Sequence, residues 1–294
     1  MREIMNSKEA AEYLCIKERK LYELISERAI PCSKVGGKWI FPRFLIDRWI
    51  LQNAQGPIPD KLDDRPQVIA GSHDPLLEWA VRETGTNLAL MFKGSQDGLN
   101  KFAYGKALAT GTHILDAETD SYNLPAIIRM VPLHDLVVIQ WAWRRQGLIL
   151  SPQKSDNIDS IRSLVASGRR FIGRQSGAGS QILLDILCAR EGVEKTQISF
   201  LEKPARTESD VATAIANGHA DAGLGIESVA RQYNLRFLPL QRERYDLVLA
   251  RRDFFSENIQ ALMQLIRQPE FAQKATELGG YDIACCGQVE YNGP

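Results

Sequence analysis

Residues 53–67, NAQGPIPDKLDDRPQ, divide the chain and limit the folds open to it more than any other feature. Three prolines, a glycine and mixed charges without a hydrophobic period read as a linker. The expected organisation is a small unit over 1–53, a linker over 54–66 and a body over 67–294. Charge follows the same division. Residues 1–53 hold ten Lys/Arg against seven Asp/Glu, and the rest holds 26 against 29, although the whole chain is neutral. Only the first unit is therefore expected to meet a polyanion.

In the first unit, Ser7 is expected to cap a helix carrying Ala10, Ala11, Tyr13 and Leu14 at helical spacing. A second helix, about Glu18–Arg28, turns Leu21, Leu24 and Ile25 inward and leaves Lys17, Arg19, Lys20 and Tyr22 near its exposed N-terminal end. CSKVGGKWIF reads as strand, Gly36-Gly37 turn, strand. Pro42 opens a last helix with Phe44, Leu45, Trp49 and Ile50 inward. This order is a winged helix-turn-helix arrangement. Its second helix can present side chains to base edges in the major groove. Lys34 and Lys38 on the wing, with Arg43, can neutralise phosphates. Over its whole length the segment resembles the excisionase-type, MerR-like helix-turn-helix family. The likeness rests on its EAA helix, its aromatic-containing second helix and its KVGGKW wing. Lys17 and Lys20 stand where that family commonly has small hydroxyl residues.

From Gln67 onward short apolar runs alternate with helical patterns, as in an α/β domain. VIAG (68–71), LALMFKG (88–94) and RFIG (170–173) read as strands, and ADAGLGI (220–226) as a small-residue turn after a strand. Gly/Ser-rich loops lead from these strands into helices. Such loops let backbone N–H groups approach a ligand where the helix dipole favours negative charge. RQSGAGSQ (174–181) is accordingly expected to cradle an anion, with Ser176, Gly177, Gly179, Ser180 and Gln181 at the ligand. Ser72, Ser95, Gln96, His113, Tyr122, Arg145, Gly225 and Tyr245 are the further candidates. His73 and His219 are expected at the surface, and one of Trp141 and Trp143 in the core. The loop lacks the Gly-Lys-Ser/Thr ending of a P-loop, the GxSxG elbow of hydrolases and the third glycine of a dinucleotide fingerprint. No enzyme, cofactor or metal site is expected.

Residues 68–252 resemble the periplasmic-binding-protein-like domain of cytosolic regulators, found also fused to some molybdopterin molybdenumtransferases. More distantly, they are similar to molybdate- and tungstate-binding proteins of transporters. The likeness rests on GSQDGLNKFAYGKALATGTHILDAETDSYNLPAI, RFIGRQSGAGSQILLD and VATAIANGHADAGLGI. It implies a type II fold of two α/β lobes, about 67–148 with 243–294 and about 149–242, around a ligand cleft. Ser180-Gln181 stands where the family commonly has Thr-Arg, and Thr207-Glu208 where it has Thr-His. Both changes weigh against a doubly charged oxyanion.

The resulting expectation is a one-component transcriptional regulator. It binds DNA as a homodimer and senses a small anion, either a molybdate/tungstate-type oxyanion or a small organic acid. The rival readings are an accessory protein handling molybdate and an architectural DNA binder. The five cysteines show no zinc or disulfide spacing, and no apolar run suggests a leader or a membrane span, so a cytoplasmic location is expected.

Overall fold

The computed structural model describes residues 4–53, 65–131, 135–154 and 157–293. They fall into two compact units divided between Asp64 and Arg65. The expected linker lies, over 54–64, outside the described residues.

In the first unit the helix Ser7–Tyr13 is capped by Asn6, one residue earlier than expected. The Asn6 side chain accepts from the Glu9 N–H, and the Glu9 carboxylate accepts from the Asn6 N–H. A short turn with Cys15 in the left-handed region leads to the helix Glu18–Ser26. Ser33–Val35 and Lys38–Pro42 form the hairpin, Val35 opposite Lys38. Gly36 and Gly37, at φ 56° and 79°, take the left-handed geometry its two-residue turn requires. Ile4–Asn6 adds a third strand that the sequence pattern had not indicated. The last helix, Arg43–Gln52, begins directly after Pro42. Leu21, Ile25, Phe41 and Ile46 share the core. Ile46, rather than the exposed Ile50, carries the inward face there; the Phe44 side chain lies outside the described residues.

The second unit is built on one ten-stranded sheet. Two 15-residue strands, Leu136–Leu150 and Arg236–Ala250, run antiparallel along their whole length. At one end Asp246–Leu249 pairs with Ala109–Thr112, which continues to Val68–Gly71 and Ala89–Phe92. At the other end Gln146–Leu150 pairs with Ala222–Ile226, which continues to Arg170–Ile172 and Ser199–Phe200. Irregularities between Pro239 and Gln241, and between Tyr245 and Asp246, break the register where the sheet passes from one half to the other.

Helices cover both faces of each half. Pro75–Glu83, Glu257–Leu265 and Pro269–Leu278 enclose a core around Trp141, Tyr245 and Phe271. Gly179–Glu191 packs over Leu148, Phe171 and Leu224 in the other half. Residues 222–226 form a fully buried strand, not the turn expected of ADAGLGI. A Cβ on Gly223 would lie 2.5 Å from Val211, so glycine here lets the helix Glu208–Ala216 pack close to the sheet. Among the described residues no helix is long and apolar enough to cross a membrane.

Candidate functional site

On the first unit Lys17, Arg19, Lys20 and Tyr22 are all exposed. Lys17 is the N-cap residue of the second helix, so these side chains surround its N-terminal end. Glu23 pairs with both Arg19 and Lys20 without burying either, Arg19 remaining 91% exposed. Lys34 and Lys38 are exposed on the hairpin, with Lys34 5.4 Å from the centre of the Trp39 ring. Arg43 is half-buried across the Tyr13 ring and reaches Asp47. The basic helix end and the wing are available to a polyanion.

In the second unit, two helices start where the halves meet. Ser95–Ala103 begins after Gly94, and Gly179–Glu191 after Ala178, and neither has a side-chain cap. Their first-turn N–H groups and positive dipole ends are the physical basis of anion binding. The Gln96 N–H donates to the Gly177 carbonyl at 3.2 Å, so the two loops touch. A Cβ on Gly179 would lie 2.5 Å from the His113 carbonyl oxygen. Small residues at 177–179 therefore permit this approach.

Around the contact, the Ser72 and Ser95 hydroxyls lie 2.8 Å apart, and the Ser95 oxygen accepts from the His113 N–H. Tyr245 donates its hydroxyl to the Ser72 carbonyl at 2.6 Å. His113 Nδ1 is 2.8 Å from Glu243, whose other oxygen accepts from Arg144. Arg144 also donates to Asp74, which accepts from Leu77 N–H, Trp141 Nε1 and the Tyr281 hydroxyl as well. Burial alone would raise the Glu243 carboxyl, but Arg144 and His113 outweigh it and hold the group below the usual glutamate range. Burial, and then the Asp74 charge, push the Tyr245 hydroxyl well up. In the facing half, buried Arg174 pairs with Glu208 and lies 3.3 Å from the Ser180 hydroxyl.

The structure thus brings Ser72, Ser95, Gln96, His113, Gly177, Gly179 and Tyr245 together, with Ser180 held by Arg174. Gln96 also lines a groove of about 700 Å³ with Ile114, Ile182 and Arg190. Tyr122 is buried edge-on to Trp143, close enough to Glu243 that burial and that charge raise its hydroxyl. Gly225 belongs to the buried strand, beside Glu208. Ser176 is exposed at the tip of its loop. Gln181 folds onto its own half, accepting from the Arg174 N–H and donating to Asp185. Arg145 is exposed and paired with Glu227 on a groove of about 560 Å³. His73 is buried rather than exposed, bonded to Glu78 and edge-on to Phe92.

Sequence reasoning missed Asp74, Arg144, Arg174 and Glu243 as site residues. The available signal was charge inside strongly apolar runs, as in VVIQWAWRRQGLIL and RERYDLVLA. Among the described residues no group of His, Cys, Asp and Glu is arranged to hold a metal ion.

The family described as the PBP superfamily domain matches residues 78–267. The chain belongs to this superfamily. A helix-turn-helix domain matches residues 4–54, so the PBP-like body follows a domain of a DNA-binding class. Neither matched family is a catalytic one. The chain is similar to the uncharacterized protein YvgK of Bacillus subtilis, at 25% identity over 299 residues and 96% of both chains. A 109-residue uncharacterized protein match from Clostridium pasteurianum is 33% identical, covering 37% of this chain and 96% of the relative. The PBP-like fold is shared with a Clostridium perfringens protein described as a phosphate ABC transporter substrate-binding protein with bound phosphate. That likeness has TM-score 0.52 and 11% identity, and covers 72% of this chain and 96% of that one. It is shared also with the tungstate ABC transporter from Geobacter sulfurreducens, at TM-score 0.50 and 12% identity, over 71% and 97% of the chains.

Proposed function

We propose that this protein is a one-component transcriptional regulator whose PBP-like body senses a small anion. The observation that carries the reading is the meeting of two helix N-termini without side-chain caps, at Ser95 and Gly179, from opposite halves of one body. The Ser72 and Ser95 hydroxyls beside them add donors without bulk. Proteins of the same fold that are named for tungstate and phosphate support an anionic ligand class. The exposed Lys17, Arg19 and Lys20 supply the DNA contact, and Lys34, Lys38 and Arg43 the phosphate contacts. Two copies read two half-sites, because one module of about 50 residues makes too few contacts for high specificity. The ligand acts on DNA binding only to the extent that it binds the two states differently.

Thermal unfolding of the full chain with molybdate, tungstate, sulfate, phosphate and small carboxylates tests the reading. A ligand at about 100 times its Kd stabilises by about 2.7 kcal/mol, on the order of 5–10 °C for a body of this size. The same compound should change the affinity for operator DNA. A panel that alters neither melting nor DNA binding overturns the sensor reading.

A further inference from the structure

We propose that Arg145 and Arg242 form a second anion site, outside the cleft, for a small organic monocarboxylate with an apolar body. The proposal does not depend on the reading of the cleft.

Arg145 and Arg242 stand directly opposite each other on the antiparallel strands Leu136–Leu150 and Arg236–Ala250. Side chains so placed share one face of the sheet, and like charges there repel. Successive residues of a strand alternate faces, so this pair points away from its neighbours Arg144 and Glu243. Those two are opposite in charge and belong to the buried network with His113. The like-charged pair instead lines the open groove of about 560 Å³, with Trp143, Pro239 and Leu240. Both arginine side chains remain more than half exposed there.

The two guanidiniums are held in position. Arg145 pairs with Glu227 at 2.5 Å, and Arg242 pairs with Asp282 at 2.5 Å. Arg242 also lies across the Trp143 ring, 4.7 Å from its centre. Glu227 is shared with Arg231 at 2.8 Å. Three guanidiniums thus meet two carboxylates, and one positive charge is left over. A carboxylate has two oxygens that accept, and guanidinium forks match that geometry. Placed between Arg145 and Arg242, it relieves their repulsion and cancels the surplus charge. A dianion would instead set its second charge against Glu227 and Asp282. Leu240 falls in the irregularity between Pro239 and Gln241, and these apolar side chains offer a surface to the body of the ligand.

Calorimetric titration of the full-length protein with hexanoate, acetate, hexanamide and phosphate at low ionic strength tests this site. Hexanoate should bind at least about tenfold more tightly than acetate, which lacks the apolar body, and than hexanamide, which lacks the charge. Phosphate should also bind more weakly than hexanoate. Arg145→Gln and Arg242→Gln should each lower hexanoate affinity by at least about tenfold. Because both side chains are exposed, melting curves of these variants should match the wild type. Gly179→Ala, which disturbs the cleft, should leave hexanoate binding in place. Binding that survives both arginine substitutions overturns the second site, and its loss in Gly179→Ala alone assigns the molecule to the cleft. Acetate, hexanamide or phosphate bound as tightly as hexanoate overturns the monocarboxylate with an apolar body. Failure of the wild type to bind hexanoate overturns the proposal and leaves the anion sensor to its own melting test.

Discussion

Asp74 shows how much one side chain organises. It caps the helix Pro75–Glu83 and accepts from Trp141, Arg144 and Tyr281, residues up to 207 positions away. Arg144 is buried between Asp74 and Glu243 and lies 4.5 Å from the centre of the Tyr245 ring. Replacing one partner of a buried ion pair leaves the other charge uncompensated. Asp74→Ala should therefore cost about 3–5 kcal/mol in urea unfolding, more than a surface aspartate would. Asp246 makes a different prediction. Burial raises its carboxyl to about 6, against the opposing effects of Arg244 and Asn123. An exposed aspartate titrates near about 4, so between roughly pH 4 and 6 the native state holds a proton that the unfolded chain has lost. Stability from this group consequently falls as pH rises through that window. Asp246→Asn should flatten that part of the melting-temperature profile between pH 4 and 7.

At the scale of elements, local pattern carried the first unit well. The hairpin around Gly36-Gly37 and the inward Leu21 and Ile25 follow from periodicity and turn chemistry. Ile4–Asn6 escaped because three residues hold too little period to read. The strand Ala222–Ile226 was mistaken for a turn because glycine has two uses, and close helix packing is invisible without the partner helix. The cleft was legible only in its local parts. Ser95 and Gly179 each begin a helix after small residues, whereas Asp74, Arg144 and Glu243 meet only through long-range pairing. Gly179 permits a specific test. The Cβ of Gly179→Ala would meet the His113 carbonyl oxygen at 2.5 Å, and backbone on both sides must give way. The substitution should lower stability by about 1–3 kcal/mol and abolish the ligand-induced rise in melting temperature. Differential scanning fluorimetry with and without the best anion of the panel measures both effects.

For the whole molecule, the charge division leaves the excess of positive charge on the first unit, ten Lys/Arg against seven Asp/Glu, while the rest carries 26 against 29. Lys17→Ala and Lys20→Ala should each weaken operator binding and lower the slope of log affinity against log salt by about one. Fluorescence anisotropy at several salt concentrations reads that slope, with unrelated DNA as the comparison. The strands Leu136–Leu150 and Arg236–Ala250 have a consequence for synthesis. The first half of the body needs Asp246–Leu249 and Val289–Asn292 to complete its sheet. A ribosome making this protein exposes the apolar faces of Ile69, Leu77 and Trp141 until the segment from Ile259 to Cys286 has emerged. The 4–53 segment, whose core draws on no later residue among those described, is free to fold far earlier. Nascent chains can thus hold a finished helix-turn-helix unit well before the PBP-like body is complete.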